Sequence, residues 1–327
     1  TAQVDLVIGG RLDRPEPTGT IQFDPSSITV RGLGEEIEIR SGQLNIGATE
    51  EGLLNAEIRP DNPVLGAAFG GNFSIIGGAE MDLLEVQSGR LELDASNISM
   101  RLPEAATFTI NYADLNLVLS DPSLPPVLRG TILLEEALYF EEMAQGLGDT
   151  VTGLFGGIFD REVERYVTPF WEDNPLLGAT EIDVDILASN GILVQSEFFG
   201  VGLDLELQAN LTMTGTPQDP LLTGDIKILE GEASFQNRRF NIADCTLLFQ
   251  EREGGTGDPV PYIDNCVAEA TIERPFQSQQ RLTATGETSG LVSESLTDRP
   301  EPYIIQATVD GYLDEISIEL ESVNVAL

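Results

Sequence analysis

The chain has 327 residues, 55 of them acidic and 17 basic, for a formal net charge of −38; it contains no His, two Cys and a single Lys, Lys227. Without imidazole there is no Ser-His-Asp or Cys-His machinery and no imidazole metal site, and two cysteines cannot build a four-cysteine zinc or iron–sulfur centre. The negative charge excludes nucleic acid as a partner, since phosphate binding needs a basic surface, and it opposes adsorption to anionic membranes.

A hydrophobic content of 41% and a mean hydropathy of −0.03 are too apolar for disorder. No stretch of about 18 uninterrupted apolar residues is present to span a bilayer. The opening Thr1-Ala2-Gln3-Val4 lacks an initiator Met, a basic leader and an apolar leader, so the chain reads as a piece of a longer protein.

Period-two alternation starts at once, with Val4/Leu6/Ile8, then Ile37/Ile39 and Leu44/Ile46. From Leu147 to Phe170 the spacing turns helical: Leu147, Val151, Leu154, Phe155, Ile158, Phe159, Val163, Tyr166, Val167 and Phe170. Gly153, Gly156 and Gly157 each weaken that helix by about 1 kcal/mol. It could pack on a sheet, or plug a groove or touch lipid. Alternation resumes at Ile182/Val184/Ile186 and is longest from Leu203 to Met213, with six apolar residues on one face and five polar on the other. It closes at Ile316/Ile318/Leu320. Strands with one buried and one wet face follow, hence a mostly antiparallel all-β protein whose wet faces carry acids such as Asp183, Asp185, Asp204 and Glu206.

An internal repeat is superimposed on this pattern. Pro-x-x-x-Gly-x-Ile occurs at Pro15–Gly19–Ile21, Pro126–Gly130–Ile132 and Pro220–Gly224–Ile226. Asp-Asn-Pro-x-Leu-Gly-Ala occurs at 61–67 and again at 173–179. The first two copies of one motif lie 126 − 15 = 111 residues apart and the copies of the other 173 − 61 = 112, which indicates a duplicated unit. Its physical content is an edge or turn proline, a glycine that allows a kink, and a strand.

Cys245 and Cys266 flank the turn Gly254-Gly255-Thr256-Gly257. In a hairpin centred between Gly255 and Thr256, paired residues sum to 511, so Phe249 faces Tyr262 and the cysteines face each other, close enough for a disulfide. Such a bond would contribute about 3 kcal/mol and imply an oxidising compartment. The alternative is two small buried thiols whose register agrees by chance.

The search for chemistry ends without a site. Carboxylates are abundant and no spacing selects a pair. Gly-x-Ser-x-Gly and the EF-hand pattern are absent, Gly32-Leu33-Gly34 and Gly146-Leu147-Gly148 lack the third glycine of a dinucleotide loop, and Lys227 does not follow a glycine loop. The chain reads as a non-enzyme without cofactor or metal.

Residues 181–320 carry a resemblance. Leu211-Thr212-Met213-Thr214-Gly215-Thr216 leads into Pro220-Leu221-Leu222-Thr223-Gly224-Asp225-Ile226. Gly231, Phe240-Asn241-Ile242, Phe249, Pro261-Tyr262-Ile263-Asp264 and Ala268 come next, and the run closes on Ile316 to Ser322. This ordered string resembles the TamB (translocation and assembly module) C-terminal domain family of the AsmA-like superfamily of bridge-like lipid transfer proteins, and residues 1–140 resemble its less distinctive upstream repeats.

The resemblance implies an elongated, curled antiparallel β-sheet built from repeats, a β-taco with an apolar groove. It divides the chain into upstream groove repeats (1–140), a helical insertion (141–175, helix near 147–170) and a C-terminal groove domain (176–327). The chain stops soon after Ser322, short of the final segment expected at the outer membrane. Implied function is a periplasmic bridge from inner to outer membrane, anchored by a segment outside this chain. It would support outer-membrane protein assembly or secretion and carry phospholipid. The implied partners are phospholipid acyl chains and an outer-membrane barrel of the BamA/TamA kind. The groove face is assigned to Leu203, Leu205, Leu207, Leu211, Met213, Ile226, Ile228, Phe235, Phe240, Ile242, Leu247 and Phe249. The other reading is a purely structural periplasmic or surface β-solenoid, a spacer or adhesin whose core is filled by protein.

Overall fold

Alternating segments of 10 to 18 residues are long for strands, and the computed structural model makes each of them one. It describes residues 2–11, 14–29, 36–49, 51–82, 85–102, 106–139, 178–198, 201–235, 238–251, 259–272, 303–312 and 315–324. Every element among them is a strand: β1 (Ala2–Arg11), β2 (Arg14–Phe23), β3 (Ser26–Thr29), β4 (Glu36–Ala48), β5 (Leu54–Ile58), β6 (Val64–Ala68), β7 (Gly71–Asp82), β8 (Glu85–Leu102) and β9 (Ala106–Leu119), then β10 (Val127–Tyr139), β11 (Glu181–Phe198), β12 (Val201–Thr216), β13 (Asp219–Phe235), β14 (Arg238–Glu251), β15 (Pro259–Ile272), β16 (Tyr303–Tyr312) and β17 (Glu315–Asn324). The helix expected near 147–170 is not borne out. Its residues lie outside those described, and the glycines at 153, 156 and 157 already counted against it.

The seventeen strands form one sheet, with each strand beside its successor in the chain except at β2/β3 and β5/β6. β2 with β3, and β5 with β6, share a row, so the sheet has fifteen rows and extends on the order of 70 Å across the strands. All pairs are antiparallel except β10–β11, which run parallel from Val127↔Glu181 to Tyr139↔Val194. A parallel pair needs a long connection, which the segment between Tyr139 and Glu181 supplies.

One face of every row is apolar. The cross-strand run Val4↔Ile21↔Leu44↔Ile58 continues downstream as Leu117↔Leu128↔Ile182 and Ala209↔Ile226↔Leu247↔Ile263. The three motif glycines share one place on this face. Gly19 pairs with Leu6, Gly130 with Leu115 and Gly224 with Leu211, all at positive φ (143°, 151° and 121°). A Cβ on any of them would strike the carbonyl of the polar residue before the paired leucine: Asp5, Asp114 or Asn210. Close approach of backbones therefore explains why the motif needs glycine.

Apart from a separate slip between Val86 and Gly89, the alternation slips by one residue near one level of the sheet. Ala95 and Ile98, Ile110 and Ala113, Leu134 and Ala137, Ile228 and Gly231, Ile242 and Cys245, and Ile263 and Cys266 each flank two residues where strict alternation allows one. Ladder irregularities fall at the same level from β9 to β16. On β8 and β15 the slip is taken up by Asn97 (φ 55°) and Asn265 (φ 47°), residues that tolerate the left-handed region. A bulge bends the strand that carries it. Aligned across neighbours, these bulges crease the sheet along a line perpendicular to the strands and turn the apolar face inward as a trough.

The hairpin register corrects the expectation at one point. Phe249 faces Pro261, not Tyr262, because β14–β15 pairs sum to 510 over most of their length. Between Ile242 and Thr246 two opposed bulges move the pairing to Asp244↔Val267, and there a disulfide joins Cys245 to Cys266, with Cα atoms 4.0 Å apart.

Candidate apolar trough

The crease divides the apolar face into two walls. On one wall Val184, Ile186, Ala188, Ala209, Leu211, Leu222 and Phe249 form a buried cluster, against which Met213, Ile226 and Leu247 pack. On the other, Val194, Leu205 and Leu207 form a smaller cluster, flanked by Leu203, Ile226, Ile228 and Ile242. Phe240 is half-buried opposite Ala233, and the side chain of Phe235 lies outside those described. The assigned groove residues described here thus share one face, and most pack against one another.

Open space lies elsewhere on the same face. A cavity of about 350 Å³ spans β4 to β9 and the residue ahead of β10, and is lined by Leu44, Ile58, Leu91, Leu117, Leu119 and Pro126. That volume is at the small end of the roughly 300–1,000 Å³ of ligand sites. It exists because Ala56, Gly77, Ala79 and Gly89 project little or nothing into it, while Leu91 stays 41% exposed at its side. These residues were missed by the sequence assignment, which followed the motifs of the downstream half. The alternation in Leu91-Glu92-Leu93-Asp94 and Leu115-Asn116-Leu117 was the available signal.

The opposite face is polar and held by cross-strand contacts. Arg129 pairs with Asp183 at 3.2 Å, Arg90 donates to Asn116 at 2.9 Å while also pairing with Glu92 along its own strand, and the Thr212 hydroxyl donates to Asp185 at 2.8 Å. Tyr112 donates to Asp94 and Tyr262 to Asp310, at 3.0 and 2.7 Å; each carboxylate acceptor holds its phenol above the ordinary tyrosine range. In the 120–126 loop, the Ser123 hydroxyl and N–H both donate to Asp121 and hold its carboxyl below the ordinary range.

Some acids face each other directly: Asp94↔Asp114, Asp204↔Glu232 and Glu206↔Glu230. Like charges opposed across a ladder cost about 0.2–1 kcal/mol per pair, and the net charge of −38 adds long-range repulsion. Raising NaCl from about 20 to about 500 mM shortens the screening length several-fold. The expected result is a gain of about 2 kcal/mol, or roughly 5 °C in Tm by calorimetry. A Tm that falls with salt would show that the ion pairs outweigh the repulsion.

Among the described residues no group of three or more Cys, Asp or Glu is arranged to hold a metal ion, and no helix is long and apolar enough to cross a membrane. A single creased sheet with one continuous apolar face defines an open β-trough. The family model of the TamB C-terminal domain matches residues 61–323, and the chain belongs to that family of periplasmic bridging proteins that serve outer-membrane protein assembly. The match begins well upstream of the motif string at 181–320 and takes in the part of the cavity lining on β7, β8 and β9, while Leu44, Ala56 and Ile58 lie ahead of it. Comparison with curated proteins returned no match.

Proposed function

We propose that this chain is the trough-forming part of an envelope bridge that holds phospholipid acyl chains on its apolar face while supporting outer-membrane protein assembly. The observation that carries the reading is the apolar cavity across β4–β9, walled by leucines with glycine and alanine between them. In this reading residues 1–140 and 176–327 are the upstream and C-terminal parts of one trough, and the twelve assigned apolar side chains continue its lining downstream. A segment outside this chain anchors the protein in the inner membrane, and another meets an outer-membrane barrel of the BamA/TamA kind. The acidic outer face keeps the sheet off anionic lipid surfaces, so lipid enters only through the trough.

Native mass spectrometry of the purified chain, after incubation with phospholipid vesicles, tests this. Phospholipid adducts are expected on the native sequence and a loss of at least about tenfold in Leu91→Asp/Leu117→Asp, because a charge in an apolar pocket costs several kcal/mol when unpaired. Native protein without adducts would sink the lipid reading. A second reading, a spacer with a filled core, is favoured locally by the packing of Val184, Ile186 and Leu211, which are 1–4% exposed.

A further inference from the structure

The disulfide stands where the ladders around it are weakest. On the β13 side, pairing stops at Lys227↔Thr246 and resumes only at Gly231↔Ile242, so residues 243–245 have no β13 partner in the ladder. On the β15 side the register shifts twice between Ile242 and Thr246, and β15–β16 shifts between Ile263 and Cys266. Three adjacent ladders are therefore interrupted at one level of the crease. Cys245 and Cys266 cross the middle one, both buried on the trough face at 6% and 9% exposure. The phase slips at Ile242–Cys245 and Ile263–Cys266 are written into the apolar pattern, so the bulges do not depend on the bond for their existence. What the bond adds is a covalent link in place of missing hydrogen bonds.

We propose that Cys245–Cys266 is a redox-sensitive clasp on the crease: oxidised, it stiffens the trough between β14 and β15; reduced, it lets this stretch open locally while the remaining sheet stays folded. The reductant is a dithiol. Its thiolate attacks one cysteine Sγ, the Cys245–Cys266 bond breaks and a mixed disulfide forms. Its second thiolate then displaces that cysteine, closing the reductant's own disulfide. Two electrons pass to the protein, and Cys245 and Cys266 each leave as a thiol with one proton. Local opening of this kind is a sub-global fluctuation, confined to a stretch poor in ladder bonds.

Hydrogen exchange of the whole chain, oxidised, treated with dithiothreitol, and as Cys245→Ala/Cys266→Ala, tests the clasp. Thiol alkylation followed by mass measurement confirms the redox state in each arm. Exchange at 242–246 and 264–268 is expected to quicken by about tenfold in both thiol and alanine forms, with β8–β10 unchanged. Unchanged exchange after complete reduction would overturn the proposal, since the ladders alone would then hold the crease. Faster exchange throughout, β8–β10 included, would equally overturn it by making the bond a staple of the whole fold. Resistance of the bond to native-state reduction would show that no switch operates. None of these outcomes depends on lipid binding.

Discussion

Gly130→Ala and Gly224→Ala are each expected to lower stability by about 3 kcal/mol, and the double variant to be largely unfolded at 25 °C. Both glycines sit at positive φ, where an L side chain costs about 1–3 kcal/mol. In addition the new Cβ must displace a backbone carbonyl, of Asp114 or Asn210, that is fixed by its own ladder. Main chain cannot step aside as a flexible side chain can, so overpacking adds a further 1–3 kcal/mol or so. The two positions lie on β10 and β13, three rows and about 14 Å apart, and their effects should add. Gly47→Ala is the internal control: φ is not positive there and a Cβ meets nothing within 4 Å, so the substitution should be neutral or gain about 0.4–1 kcal/mol. Urea unfolding decides the matter, with a shift in midpoint at constant m expected for Gly130 and Gly224 only. Equal midpoints for all three variants would mean that the repeat glycine has no structural role.

That prediction was half legible in the residues alone. The spacing of Pro126, Gly130 and Ile132 exposed a repeated unit, and alternation around Ile182 and Leu203 exposed strands with one dry face. Neither discloses which leucine a glycine will face, because register is a property of two strands together. The crease illustrates the same boundary. Ile228-Leu229-Glu230-Gly231 and Ile263-Asp264-Asn265-Cys266 look like noise in a period-two pattern when read singly. Only the pairing shows that the slips line up. The hairpin register failed for this reason as well: a uniform sum of 511 ignored bulges that leave the flanks at 510 and shift only the pairing beside the cysteines. The helical spacing at 147–170 carried its own counter-signal in three glycines of low helix propensity, and it falls outside the described residues. The trough lining divides along the same line. Leu205 and Leu211 could be assigned to a dry face from alternation, but whether a dry face is packed or open depends on the volume of residues opposite. Gly77 and Gly89, which make the space beside Leu91, lie on β7 and β8, outside every motif that guided the assignment.

Val184→Asp should reduce stability by on the order of 4 kcal/mol or more, lowering Tm by at least about 10 °C, whereas Leu91→Asp should cost less than about 1 kcal/mol. Val184 is 1% exposed within a cluster of Ile186, Ala188, Ala209, Leu211, Leu222 and Phe249, none of which offers a hydrogen bond from its side chain. A carboxylate placed there loses its hydration without gaining a partner. It is forced to keep its proton, so its folded-state pKa rises above the unfolded value of about 3.9. The folded state then binds more protons than the unfolded one. The variant should lose stability as pH rises from about 4 and recover part of it in acid, relative to the native sequence. Leu91, at 41% exposure beside the open cavity, lets the same carboxylate reach water. The contrast bears on function, because an acyl chain can lie only where side chains do not already fill the trough. If Val184→Asp melts within a degree or two of the native chain and shows no added pH dependence, the β11–β13 stretch is open to solvent. The trough would then be continuous through the whole sheet. If it collapses as expected while Leu91→Asp stays folded and sheds its phospholipid, cargo is confined to β4–β9, and passage further downstream requires the packed cluster to part.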